Sequence, residues 1–121
     1  MIERAHRFRG YNSLRFVYQK GGTARAGALS LRYKLNNRRK SFRVAVVVSR
    51  KVHKSAVVRN RIRRRIFEIV RESNKAKPIT LPYDLVFIVY SDQLATLPTA
   101  ELSVLINEQL TKANIRPAPT R

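Results

Sequence analysis

The residues with most chemistry to offer lie in one short run, Arg59-Asn60-Arg61-Ile62-Arg63-Arg64-Arg65-Ile66, inside the longer segment from Ser55 to Ser73. At neutral pH a guanidinium is a fixed cation with a planar, two-pronged donor edge that matches phosphate oxygens. The chemistry on offer is therefore anion binding. Val58, Ile62, Ile66, Ile69 and Val70 recur three and four apart, which stacks them on one face of a helix. Arg59 and Arg63 then border one edge of the apolar stripe, Arg61 and Arg65 border the other, and Asn60, Arg64 and Arg71 point roughly opposite. Only Glu68 and Glu72 dilute the charge, and like charges at i,i+4 cost about 0.2–0.5 kcal/mol per pair. A polyanion has to compensate, and nucleic acid is the first candidate. Two other readings of a basic run fit less well. A nuclear-import signal sits in disordered chain, against which the helical spacing argues. A membrane-surface helix needs bulky apolar residues free to insert, whereas this stripe is about as wide as a core-facing helix requires.

Catalysis by the chain itself has little to work with. Its acids are Glu3, Glu68, Glu72, Asp84, Asp92, Glu101 and Glu108. Glu68 and Glu72 share a helix face but are surrounded by Arg64, Arg65 and Arg71, which predicts internal ion pairs rather than a metal site. His6 and His53 are far apart, have no partner at ligand spacing, and lie among arginines and lysines as extra phosphate contacts. No glycine-rich phosphate loop occurs. Neither catalytic nor metal-ligating residues are expected.

Composition bounds the rest. A chain of 121 residues with 44% apolar residues forms one domain with a real core. Its 26 basic and 7 acidic side chains leave +19, far more than solubility needs and a source of self-repulsion that phosphate binding would relieve. No cysteine supplies a disulfide or thiolate site, and neither a membrane-length apolar run nor a signal-type apolar core is present. A cytoplasmic protein is expected.

These elements must position the arginines. In residues 1–11, Arg4, Arg7 and Arg9 alternate with Phe8 and Tyr11, so the rings could stack on bases or tuck onto the core. Asn12 is a plausible N-cap of a short helix with Leu14, Val17 and Tyr18 on one face, Arg15 and Phe16 off it, and Gly21-Gly22 as its stop. Ala28 to Leu35 alternates apolar and polar, predicting a strand with one wet face. A basic turn, 36–41, leads to the unbroken apolar run from Phe42 to Ser49, which predicts a central strand paired with the preceding one as a hairpin. A further strand around Thr23 to Ala26 is weakly signalled. After the basic connection 50–54, Ser55 caps the arginine helix, which Asn74 to Pro78 ends. Tyr83 to Ser91 is a second apolar strand, parallel to the first across the helix. Pro98 opens a last helix with Leu102, Leu105, Ile106 and Leu110 as its stripe. The expected fold is α+β, a two-layer α-β sandwich in the order α-β-β-β-α-β-α with a small mixed sheet. Residues 1–115 form one RNA-binding domain and 116–121 a flexible tail.

Arg59-Asn60-Arg61-Ile62-Arg63-Arg64, preceded by Arg43-Val44-Ala45-Val46-Val47-Val48-Ser49-Arg50-Lys51 and followed by Tyr83-Asp84-Leu85-Val86-Phe87-Ile88-Val89, resembles the protein subunit of bacterial ribonuclease P. Arg7-Phe8-Arg9 and the helix ending in Lys20-Gly21 look like that family's opening, so the resemblance covers nearly all of residues 7–113. It implies an accessory subunit of an endoribonuclease in which a large RNA, with its own magnesium ions, removes the 5′ leader of precursor tRNA. It implies that Arg59, Asn60, Arg61, Arg63 and Arg64, with Arg50 and Lys51 beside them, face the catalytic RNA. Leader contact would come from a cleft between the first helix and the sheet, at Leu14, Tyr18 and either Arg32 or Tyr33, with Phe8, Arg9 and Phe16 nearby. No membrane and no DNA partner is implied, and no cofactor is held by the protein. The resemblance also implies a left-handed strand-helix-strand crossover, against the usual rule. Three departures stand out: Leu14 where the family usually has an aromatic, with Phe16 or Phe8 as substitutes, Ala45 for a usual glycine, and His53-Lys54 where glycine is common. The alternatives are a ribosomal-type structural RNA-binding protein, which would sediment with ribosomal particles, and a free-standing nuclease, which would cleave RNA unaided.

Overall fold

Alternation along Leu29, Ser30, Leu31, Arg32, Tyr33 and Lys34 builds a strand whose Leu29 and Leu31 are fully buried under the helices. The computed structural model describes residues 22–36, 40–113 and 115. Among these, the strands are β1 (Gly22–Ala26), β2 (Leu29–Leu35), β3 (Arg43–Val47) and β4 (Tyr83–Val89). The helices are α1 (Ala56–Ala76) and α2 (Thr99–Lys112), with a short 3-10 turn at Asp92–Ala95 between β4 and α2. The predicted helix from Asn12, with Phe8, Arg9, Leu14, Phe16 and Tyr18, lies outside the described residues, as do 116–121.

The strand order is β1-β2-β4-β3, with β3 parallel to β4 and the other neighbours antiparallel. The mixed α+β sandwich and the parallel β3-α1-β4 unit are as expected, but two pairings differ. First, β2 and β3 are not a hairpin, because β4 runs between them. The hairpin is β1-β2, closed between Ala26 and Leu29 by Gly27 at φ 57, a conformation that two-residue hairpin turns of the primed types demand at their first position. Second, β3 is not central; among the described residues its outer edge pairs with no strand. Its apolar run reports two buried faces, which is a separate matter from two paired edges. Val44 and Val46 pack under the helices, while Ala45 joins Val86, Val47 and Ile88 in a small cluster on the opposite face.

The main core lies between the sheet and α1 and α2. Leu29, Leu31, Val44, Leu85 and Phe87 from the strands meet Ile62, Ile66 and Val70 of α1 and Leu102, Ile106 and Leu110 of α2. Burying each such side chain contributes roughly 1.5–3 kcal/mol. Gln109, fully buried, ties α2 to the β1-β2 hairpin by donating from Nε2 to the carbonyls of Ala24 at 3.2 Å and Leu29 at 2.8 Å.

At the far end of that hairpin the Tyr33 ring lies over Gly22, its register partner. A Cβ on Gly22 would stand 2.6 Å from the ring carbon that bears the hydroxyl, closer than atoms can approach. Gly22→Ala is therefore expected to displace Tyr33 from the core edge at a cost of about 1–3 kcal/mol, as overpacking usually does, measured by urea unfolding. Combining it with Tyr33→Val, which removes the obstructing ring, should return most of the part due to the clash.

Candidate nucleic-acid interface

Helix α1 starts where Ser55, in extended conformation, accepts from the Val58 N–H at 3.4 Å. His53 supports this start: its Nδ1 accepts from the Ser55 N–H at 3.0 Å, which leaves Nε2 to carry the proton of the neutral ring. The first turn holds no acidic residue, so the positive end of the helix dipole is left for an outside anion. Ile62, Ile66, Ile69 and Val70 are buried as the stripe predicts, and the helix runs to Ala76. In its last turn the Asn74 side chain accepts from the Ile79 N–H at 2.8 Å, tying down the chain that follows.

The arginines separate into distinct roles once their partners are seen. Asn60, Arg61 and Arg64 are exposed, and among the described residues neither Arg61 nor Arg64 has an ion-pair partner. Arg63 is half-buried on the flank toward β3. Its Nη1 donates to Asn60 Oδ1 at 2.7 Å and its Nη2 to the Val48 carbonyl at 3.2 Å. Burial, and then the neighbouring Arg59 charge, lower the Arg63 guanidinium from its usual value. Arg59 beside it is half-buried, and its Nε has no partner among the described residues. Two crowded guanidiniums of this kind gain from a bridging anion, which would offset their repulsion. Arg50, Lys51 and Lys54 stand exposed in the connection just before the helix. The structure thus gathers all seven residues expected to face an RNA, with Arg63 also serving as a brace.

Arg65 and Arg71 are turned to other work. Arg65 donates through its two Nη groups to the carbonyls of Leu94 and Leu97, pinning the loop before α2 to the middle of α1. Arg65→Ala is expected to cost roughly 2 kcal/mol of folding stability, the scale of losing charged hydrogen bonds to buried acceptors. It should leave the affinity of the folded chain for RNA within about twofold of the parent, because its guanidinium is not on the outer face. Thermal unfolding together with filter binding checks both parts. Arg71 sits 2.8 Å from Glu68 and 2.8 Å from Glu72, and Lys75 lies 3.6 Å from Glu72, so these carboxylates serve internal ion pairs.

The opposite face of the sheet carries a second basic area. Register places Arg32 beside Val86 and Ala45, whereas Tyr33 faces the helices with Leu85 and Val44. The two residues that the sequence left as alternatives for one cleft point to opposite sides, and only Arg32 lies on the side with Ser30, Lys34, Val86 and Ile88. At one end of this face Asp84, 1% exposed, accepts from Arg43 Nε and Nη2 at 2.8 Å each and from Asn36 Nδ2 at 3.0 Å. Sequence reading did not single out Asp84; an aspartate opening an apolar strand, in register with Lys34 and Arg43, was the available signal. Among the described residues no cluster of three acidic, histidine or cysteine side chains could hold a metal, and the acids nearest the arginines already have cationic partners. No helix among them is long and apolar enough to cross a membrane.

This arrangement of helix, sheet and cations can be set beside known proteins. The family model described as Ribonuclease P matches residues 2–114. The ribonuclease P protein component of Chloroflexus aurantiacus is 37% identical over 119 residues, covering 98% of this chain and 85% of that protein. That of Roseiflexus castenholzii is 37% identical over 115 residues, covering 94% and 90%. Among solved structures, the RNase P protein of Staphylococcus aureus superposes with a TM-score of 0.78 at 23% identity, covering 93% of this chain and 98% of that one. The Thermotoga maritima RNase P protein gives 0.75 at 20% identity, covering 88% and 96%. At those identities the superpositions speak for the fold, while the family model and the closer relatives carry the assignment over almost the whole chain. The basic helix, the mixed sheet beneath it and these matches agree: the chain belongs to the bacterial ribonuclease P protein family.

Proposed function

We propose that this chain is the protein subunit of a ribonuclease P, binding the catalytic RNA through the outer face of α1 and holding the 5′ leader of precursor tRNA against the opposite face of the sheet. The observation that carries the reading is the exposed, unneutralised row of Asn60, Arg61 and Arg64, flanked by Arg59, Arg63, Arg50 and Lys51. Such a row positions a phosphate backbone and leaves base recognition to other parts. In this reading Arg32, rather than Tyr33, meets the leader, a choice supported by its register beside Val86, on the face away from the helices. Bond cleavage falls to the RNA and the magnesium ions it holds. This chain's own part is to bind, neutralise and orient, and the acids on and beside the basic helix, Glu68, Glu72 and Asp84, are engaged with arginine and lysine.

Filter binding of the chain to a bacterial ribonuclease P RNA across a salt series tests the assembly. If five or so phosphates are neutralised on structured RNA, the slope of log K against log salt should be about −4 to −5. A slope near zero, or equal affinity for an unrelated structured RNA at every salt concentration, would reject the assignment of this face.

A further inference from the structure

Helices α1 and α2 do not close fully on each other, and a groove of about 500 Å³ is left between them. The facing positions explain it. Ser73 of α1 and Thr99 and Ser103 of α2 stand where larger apolar side chains would fill the gap, so the helices meet there through a polar bridge. Ser73 Oγ donates to Asn107 Oδ1 at 2.7 Å, and Asn107 Nδ2 donates to the Ser103 carbonyl at 2.9 Å and to Ser103 Oγ at 3.2 Å. With these groups already engaged, what the walls offer an incoming molecule is chiefly Ile69 and the aliphatic stems of the longer side chains. The size is one that a small organic molecule fills. Four charged side chains line the groove, and three of them are occupied. Arg65 is spent on the Leu94 and Leu97 carbonyls, and Glu68 and Glu72 each lie 2.8 Å from Arg71. Arg64 is exposed and has neither a hydrogen-bonding nor an ion-pair partner among the described residues. The groove therefore presents an apolar slot with one unneutralised cation, on a chain of net charge +19.

We infer that the groove between α1 and α2 is a binding site for a small aromatic anion, with its ring system against Ile69 and its carboxylate or sulfonate on Arg64. A flat body suits a slot walled by two helices, and a guanidinium can both stack on a ring and pair with an anionic group. A neutral ligand would leave Arg64 unanswered, and a cationic one would meet carboxylates that Arg71 already neutralises. Occupation of the groove withdraws Arg64 from RNA, so such a ligand competes with assembly. That consequence rests on the reading of α1 as the RNA-binding face, whereas binding of the ligand does not.

Titration of the full chain with 8-anilinonaphthalene-1-sulfonate, followed by fluorescence and by equilibrium dialysis, provides the test, and a single saturable site is expected. Thr99→Phe, which places a ring in the groove from an exposed position at the start of α2, should weaken dye binding about tenfold or more by occlusion. Arg64→Gln should weaken it about tenfold through loss of the charged contact, and Lys77→Gln, which removes an exposed cation elsewhere, should stay within about twofold of the parent. Saturating dye should weaken binding of the parent to a bacterial ribonuclease P RNA about tenfold, and the RNA should weaken dye binding by the same factor. Thr99→Phe should bind that RNA like the parent and no longer respond to the dye. Dye binding that is absent, spread over many sites, or unchanged in Thr99→Phe and Arg64→Gln overturns the groove and leaves the RNA-binding face standing. Dye binding in the groove with unaltered RNA affinity overturns the competition, and a parent chain that does not bind the RNA at all overturns the RNA-binding reading while the dye measurements still decide the site.

Discussion

Replacing Arg61 and Arg64 together by alanine is expected to weaken assembly with the catalytic RNA by about two orders of magnitude, from roughly 1.5 kcal/mol for each charged contact removed. Both guanidiniums stand on the exposed side of α1 with no carboxylate to hold them among the described residues, and neither packs against the core. The folded state should therefore be unharmed, and removing two like charges from a strongly basic helix should if anything stabilise the free chain slightly. Because each contact releases counterions, the log–log salt slope should also fall by about two. Measuring affinity at several salt concentrations, beside thermal unfolding of the same variant, separates this outcome from simple misfolding. An unchanged salt slope would show that the two side chains do not meet phosphates. The contrast with Arg65→Ala is informative, since that arginine sits on the same helix, one position along, yet spends its donors on the Leu94 and Leu97 carbonyls.

Asp84→Ala is expected to be the most destabilising single substitution among these, by about 3–5 kcal/mol, because it strands a charged partner in a largely dry site. The Arg43 side chain is 14% exposed and the Asp84 side chain 2%, and they meet through two bonds with Asn36 as a third member. The pair joins the ends of β2, β4 and β3, so it holds the edge strand that feeds the basic connection and α1. A loss of this size is a large fraction of the 5–15 kcal/mol that a domain usually has. The double variant Arg43→Ala/Asp84→Ala should recover part of it, since no unpaired guanidinium is then left behind. Urea unfolding of the parent, both single variants and the double variant closes the cycle. Additive losses would show that the two side chains are not coupled.

How much of this could be read from the residues depends on which interaction decides each feature. Helix α1 was legible because its cap, its apolar spacing and its stop at Asn74 to Pro78 are all local, and Ser55 caps it as expected. The strands were legible for the same reason: alternation in β2 and unbroken apolar runs in β3 and β4. Strand order was not, because hydrophobicity reports whether a face is covered and says nothing about which edge is paired. The basic turn 36–41 reads as a hairpin connection, while what separates β2 from β3 is a strand more than forty residues further along the chain. The division of labour among the arginines was equally out of reach. Helical geometry put Arg61 and Arg65 on the same border of the apolar stripe, but only the fold brings the Leu94 and Leu97 carbonyls to Arg65. Gln109 escaped notice because a polar residue beside an apolar stripe ordinarily faces water, and its partners Ala24 and Leu29 lie on a distant hairpin. Alternation already put Arg32 and Tyr33 on opposite faces of one strand; what it left open, and the fold adds, is that the helices cover the Tyr33 face and leave Arg32 with Val86 and Ile88 on the other.

In the proposed function the protein binds and the RNA cuts. The most direct test of this adds the purified chain to a bacterial ribonuclease P RNA at a magnesium concentration too low for the RNA to work well alone, and follows removal of the 5′ leader from a precursor tRNA. Strong stimulation by the parent chain, greatly reduced by Arg61→Ala/Arg64→Ala, together with no cleavage by the protein without the RNA, is the predicted result. No stimulation at any protein concentration, or cleavage by the chain unaided, would contradict it.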